Sequence, residues 1–161
     1  MTGMVDVTFE VNGERRTIRV EPRTSLADAL RDECRLTGTH VGCDEGVCGA
    51  CTILLDGAPI RACLLFAVQA DGSAICTVEG LSDGETLHPL QQALLDHNAV
   101  GCGYCTPGLL MLAVGALTRE PDMDEAALTR LLGANLCRCT GYQTVLRALK
   151  AGQIAMRADG S

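Results

Sequence analysis

Residues 43–51 read CDEGVCGAC, and the fold turns on what these thiols are for. A nucleophile needs one cysteine, a disulfide two, and a metal site usually four. Cys43-x4-Cys48-x2-Cys51 with a further cysteine downstream is the plant-type spacing for a 2Fe-2S cluster. A single loop can wrap three thiolates round such a cluster, and Cys63, on a strand beyond the next turn, supplies the fourth. Gly42, Gly46, Gly49 and Ala50 let the backbone turn sharply, so that its N–H groups reach the sulfurs. A structural zinc site is weighed against this, but zinc loops present paired knuckles, and x4 followed by x2 is not one. CGAC also resembles a dithiol redox pair, which wants a strand before it and a helix after it. Here the expected strand comes after, and two more cysteines crowd the pair.

Outward from this loop the first half reads as strands and turns. VTFEVNGERRTIRV is two alternating runs joined by Asn12-Gly13, the strongest short hairpin signal. TSLADALRDECRL is a short helix with Ser25 as N-cap, Asp28 three residues on, and Leu26, Ala29 and Leu30 on one apolar face. RLTGTH follows, with Gly38 as the helix-stop residue. After the cysteine loop, CTILLDGAPIRACLL is strand, Asp56-Gly57 turn and strand, and SAICTV is one more strand.

The second half changes period. LHPLQQALLDHN, TPGLLMLAVGALTRE, MDEAALTRLLGAN and GYQTVLRALKAG carry helical spacing. Their start signals are Thr106 before Pro107, Asp122 with Glu125, and Thr140 with Gln143. GLLMLAVGAL is apolar almost all round, as expected for a helix at a bundle centre or against a partner subunit. The boundary between the halves is expected in EGLSDGET, residues 79–86, giving units 1–80 and 81–161 and an α+β fold.

The cysteines divide along the same line. Cys102-x2-Cys105 and Cys137-x-Cys139 each lie at a junction between expected helices, so two loop-borne pairs can clamp one metal centre from opposite sides. By spacing alone this second set binds metal. No histidine adjoins either pair, which removes a Rieske-type site, while zinc stays open. Cys34 and Cys76 are left over and read as small buried apolar residues. His40, His88 and His97 read as surface or structural residues.

The bulk numbers agree with staples of this kind. Apolar residues make up 47% of the 161, aromatics only 2%, and there are ten cysteines. For two units of this size burial alone is marginal, so a metal centre in each would help to hold them. The opening MTGMVDVTFEVNG has neither a basic region nor an apolar core of a secretory signal. No apolar run approaches a membrane span. A cytoplasmic chain keeps its thiols reduced and favours metal over disulfides. A net charge of −7 with so few aromatics argues against nucleic acid.

GCDEGVCGACTILLDG with its later cysteine, followed by CGYCTPG and NLCRCTGY, closely resembles the iron–sulfur subunit of the molybdenum hydroxylases, the xanthine oxidase family. It looks most like bacterial members that keep this subunit as a separate chain, such as carbon monoxide dehydrogenases and N-heteroaromatic hydroxylases. The resemblance runs from about residue 5 to 150. It implies a β-grasp ferredoxin-like domain followed by a four-helix bundle, each with a 2Fe-2S cluster. By the same resemblance, Cys43, Cys48, Cys51 and Cys63 would hold the cluster nearer a medium subunit with FAD. Cys102, Cys105, Cys137 and Cys139 would hold the one nearer the molybdopterin cofactor of a large subunit, with Cys139 close to the pterin. The assembly would be a dimer of heterotrimers, in which this chain passes electrons one at a time and binds no substrate. Many relatives have Gln before the first cysteine of the helical set, where this chain has Gly101. Two further readings are a free-standing two-cluster ferredoxin serving diffusing partners and a redox-silent protein with zinc in both sites.

Overall fold

The computed structural model of the chain describes residues 3–159. Strands β1 (Val5–Val11) and β2 (Glu14–Val20) form the expected hairpin. Asn12 and Gly13 take φ of 52° and 81°, the left-handed pair that matches the strand twist. Val7, Phe9, Val11, Ile18 and Val20 all point inward from it, the alternation expected of a half-buried ribbon. Strand β5 (Ala74–Cys76) lies parallel to β1, and β3 (Thr52–Leu55) and β4 (Ala58–Arg61) form the second hairpin. The sheet order is β2-β1-β5-β3-β4.

Helix α1 (Leu26–Asp28) starts at Ser25, whose hydroxyl accepts the Asp28 amide, and continues as a π-helical turn over Ala29–Glu33. Leu26, Ala29 and Leu30 are fully buried against the sheet with Phe9, Ile53 and Ile75. This segment stops earlier than Gly38. Arg35 takes φ 61° and the Leu36 amide returns to the Leu30 carbonyl at 2.9 Å. The helix-ending left-handed position thus falls on an arginine.

Four helices follow: α2 (Pro89–Asp96), α3 (Thr106–Arg119), α4 (Glu125–Leu132) and α5 (Gln143–Asp159). They pack round a second core of Leu90, Leu94, Leu110, Leu117, Leu128 and Leu149. Three helix starts differ from expectation. Helix α4 is capped by Asp124, whose carboxylate accepts the Ala127 amide at 2.7 Å, while Asp122 pairs with Arg157 instead. Helix α5 begins at Gln143, leaving Thr140 outside it, and runs well past the expected Gly152. The cap of α3 is Cys105, with Thr106 and Pro107 in its first turn.

The all-round apolarity of α3 has an internal cause. One face meets the other helices and the opposite face meets the sheet of the first half. A Cβ on Gly115 would stand 2.7 Å from Leu54 Cδ2, and one on Gly108 would stand 2.3 Å from the Gly49 carbonyl. These two glycines let the helix seat on the sheet at backbone distance. No helix among the described residues is long and apolar enough to cross a membrane.

Candidate metal centres

The first cysteine set is assembled by a loop and a hairpin. In the loop, Asp44, Gly46 and Gly49 take φ of 57°, 74° and 82°, curling it round the Cys43 sulfur. The Glu45 and Cys48 amides both donate to that sulfur at 3.4 Å. These amides hold the Cys43 thiol down at about 7, the Cys48 amide contributing most. The side chain of Glu45 is exposed, so its amide, rather than the acidic character of Asp44 and Glu45, serves the site.

Cys51 immediately precedes β3, and Cys63 lies just beyond β4. The tight Asp56-Gly57 turn pairs Leu55 with Ala58 and so on out to Thr52 with Arg61. One step further the Ala62 amide donates to the Cys51 carbonyl at 3.2 Å. Cys63 therefore arrives beside Cys51 by register. It sits in a short 3-10 turn, Ala62–Leu64, rather than on a strand as expected. Burial, and then the Cys51 thiol, push Cys63 up to about 11.

The second set comes from two helix junctions, α2–α3 and α4–α5. Packing of the four helices brings these junctions to one end, where Cys102, Cys105, Cys137 and Cys139 border a single recess with Leu109 and Val145. Cys102 and Cys139 are exposed. The Tyr104 amide, and then the Cys139 thiol, hold Cys102 below its ordinary value. Burial, and then Cys137, push Cys105 up to about 12. A Cβ on Gly101 would stand 2.5 Å from Cys139 Cβ. Glycine here lets the two junctions close on each other.

Within each set the thiols interact most directly as Cys43 with Cys48, Cys51 with Cys63, Cys102 with Cys139 and Cys105 with Cys137, while charge interactions also tie Cys63 to Cys43, and Cys102 to both Cys137 and Cys105. Among the described residues no three histidine, cysteine or acidic side chains close on one ion position. A single zinc ion wants four ligands about one point. A two-iron cluster wants two thiolates on each iron, with sulfide completing each coordination shell. The donor set and the amides aimed at sulfur suit the latter. Cys34 and Cys76 stand apart from both sets; Cys34 is buried as expected, Cys76 only half-buried, and burial raises each above the usual thiol value, as for inert structural thiols.

The two sets are joined by a seam of named contacts. The Leu136 amide donates to the Cys48 carbonyl at 2.8 Å, linking the neighbour of Cys137 to a cysteine of the first set. Tyr104 donates its hydroxyl to the Val41 carbonyl at 2.7 Å. Its ring stacks on His40 at 4.6 Å and 16°, and its carbonyl accepts from His40 Nδ1 at 2.8 Å. Arg61 donates to both Thr52 and the Ala134 carbonyl. His88 and His97 cap the two ends of α2.

Sequence reasoning passed over Tyr104, over Asn135, whose side-chain amide donates to the Cys105 carbonyl, and over Tyr142, whose hydroxyl accepts the Cys137 amide; it read Thr140 only as a helix start and His40 only as a surface or structural residue. One signal was available. The chain has only two tyrosines, and both lie inside or beside the cysteine pairs of the second set.

Two families match in tandem: a 2Fe-2S iron-sulfur cluster binding domain over residues 9–79 and a 2Fe-2S binding domain over residues 77–150. The chain is 52% identical to the nicotine 6-hydroxylase small subunit of Paenarthrobacter nicotinovorans, covering 90% of this chain and 87% of that one. It is 51% identical to caffeine dehydrogenase subunit gamma of Pseudomonas sp. strain CBB1, covering 90% and 89%. A chain of quinoline 2-oxidoreductase from Pseudomonas putida 86 superposes with a TM-score of 0.92 at 48% identity, covering 96% of this chain and 97% of that one. The aldehyde oxidoreductase of Desulfovibrio desulfuricans superposes equally well, with a TM-score of 0.92 at 36% identity. There the match occupies 18% of a longer polypeptide.

Proposed function

Since the chain belongs to the small iron–sulfur subunits of the molybdenum hydroxylases, we propose that its eight paired cysteines are the ligands of its two clusters. Cys43, Cys48, Cys51 and Cys63 hold the first, and Cys102, Cys105, Cys137 and Cys139 hold the second. The observation that carries the assignment is the meeting of the thiols in twos, the arrangement a two-iron centre requires. The units are residues 1–80, a β-grasp domain, and 81–161, a four-helix bundle. Bound clusters supply one-electron redox chemistry; the chain's own part is to place them and tune their potentials.

The role is electron transfer within an oxidoreductase complex. In the proposed assembly a large subunit carries molybdopterin and a medium subunit carries FAD, as a dimer of heterotrimers in the cytoplasm. The exposed pair Cys102 and Cys139 faces the pterin side, and the first set faces the flavin side. The Leu136–Cys48 hydrogen bond gives an unbroken path of covalent bonds and one hydrogen bond from Cys137 to Cys48. That continuity supports a conducting path between the two sites. Relatives named for nicotine and caffeine are 52% and 51% identical, against 37% for a relative named for aldehydes. This supports an N-heteroaromatic substrate, chosen by the large subunit.

The test is iron and acid-labile sulfide on the anaerobically purified native protein, with an EPR spectrum after dithionite reduction. About four irons and four sulfides per chain with two rhombic signals are expected for two such clusters. Zinc in place of iron, with no signal, would overturn the assignment. Purification without larger chains would favour a free-standing ferredoxin.

A further inference from the structure

Thr140, outside α5, has a different partner from the one its sequence position suggests. Its hydroxyl donates to Cys137 Sγ at 3.2 Å and accepts the Tyr142 amide at 3.3 Å. The second bond directs the first, because an oxygen lone pair engaged by an amide turns the hydroxyl hydrogen the other way, toward the sulfur. The turn that allows this has two successive left-handed residues, Gly141 at φ 63° and Tyr142 at φ 67°. For tyrosine that conformation costs about 1–2 kcal/mol, so something must hold it. The phenol does: it accepts the Cys137 amide at 2.7 Å and donates to the Asn135 carbonyl at 3.2 Å. The hydrogen-bond circuit thus leaves the Cys137 amide and returns to the Cys137 sulfur.

The first set has no counterpart. Among the described residues its sulfurs receive main-chain amides and neighbouring thiols, and no hydroxyl.

We propose that Thr140 sets the reduction potential of the second cluster, raising it by donating its hydroxyl hydrogen to Cys137 Sγ. This rests on the assignment of Cys102, Cys105, Cys137 and Cys139 as that cluster's ligands. Reduction adds negative charge to the cluster and its sulfurs, so a donor fixed on one sulfur favours the reduced state over the oxidised one. The effect is held in place by the Tyr142 clasp and is ready before the electron arrives.

The experiment is an EPR-monitored redox titration of the intact complex carrying wild-type chain, T140A or T140S, with iron counted in each. Serine keeps the hydroxyl and should titrate with the wild type. Alanine removes it, and at the wild-type midpoint the reduced-to-oxidised ratio of the second cluster should fall about tenfold, equivalent to 59 mV for one electron. The first cluster's midpoint should not move. Equal midpoints in T140A and T140S would overturn the proposal, as would an equal shift in both clusters. Loss of iron in T140A but not in T140S would also overturn it, making the hydroxyl a structural clasp. A failure of the ligand assignment shows separately, as wild-type protein with half the iron and a single signal.

Discussion

The two cysteine sets solve one chemical problem with different folding devices. The first is local: a curled loop gathers Cys43, Cys48 and Cys51, and a tight hairpin returns Cys63 to Cys51 by register. The second is global: its pairs lie at two helix junctions that meet only when α2 to α5 are packed. The donors differ as well. Main-chain amides serve Cys43, while a clasped side-chain hydroxyl serves Cys137. A site made by local turns depends on backbone conformation, whereas one made by packing inherits the stability of its core.

The largest effect should come from removing a proposed ligand on either side. Cys43→Ser and Cys102→Ser should each lower iron from about four to about two per chain and delete a different EPR signal. Loss of both signals in either variant would mean the sets are not independent.

A core truncation should separate the sets by their construction. Leu149 is fully buried among the helices, and Leu149→Ala should cost about 2–5 kcal/mol. On slow heating the second EPR signal should disappear first, with the first signal outlasting it. Simultaneous loss would show that the seam makes the two halves one cooperative unit.

Gly101→Gln addresses the close approach of the two helix junctions. Its Cβ has no space beside Cys139, and overpacking of this kind costs about 1–3 kcal/mol. Differential scanning calorimetry should show a lower Tm, and iron should be lost from the second set alone. Wild-type Tm and iron content would mean that the junction yields more easily than its contacts suggest.

The smallest effect should follow Cys34→Ala or Cys76→Ala, neither of which belongs to a pair. Iron content and both EPR signals should remain as in the wild type. A missing iron pair would show that the ligand sets had been drawn wrongly.

Much of this was legible in the chain because it is short-range. Asn12-Gly13 and Asp56-Gly57 each demand a left-handed turn, and the alternating residues on either side settle which face is buried. The apolar spacing of the four later helices is equally local. Caps were less legible, since Asp122 and Asp124 offer the same chemistry two residues apart, and only the path of the chain into α4 selects the second. The stop at Arg35 shows the same limit. The local hydrogen bond from the Leu36 amide to the Leu30 carbonyl closes the helix with the left-handed residue on Arg35, where propensity would have placed it on Gly38.

The sequence by itself marked out the two candidate cysteine sets and most strand and helix elements, because spacing, turn chemistry and periodicity are properties of neighbouring residues, and its cysteine motifs carried the family resemblance. Only the tertiary structure decided which thiols pair and that α3 is apolar all round because it lies between helices and sheet. It also decided that Tyr104, Leu136 and Arg61 bind one centre to the other and that Thr140 faces a sulfur instead of a helix end. These depend on backbone approaches of a few ångströms between segments distant along the chain. No local preference encodes such approaches; packing of the two cores against α3 sets them.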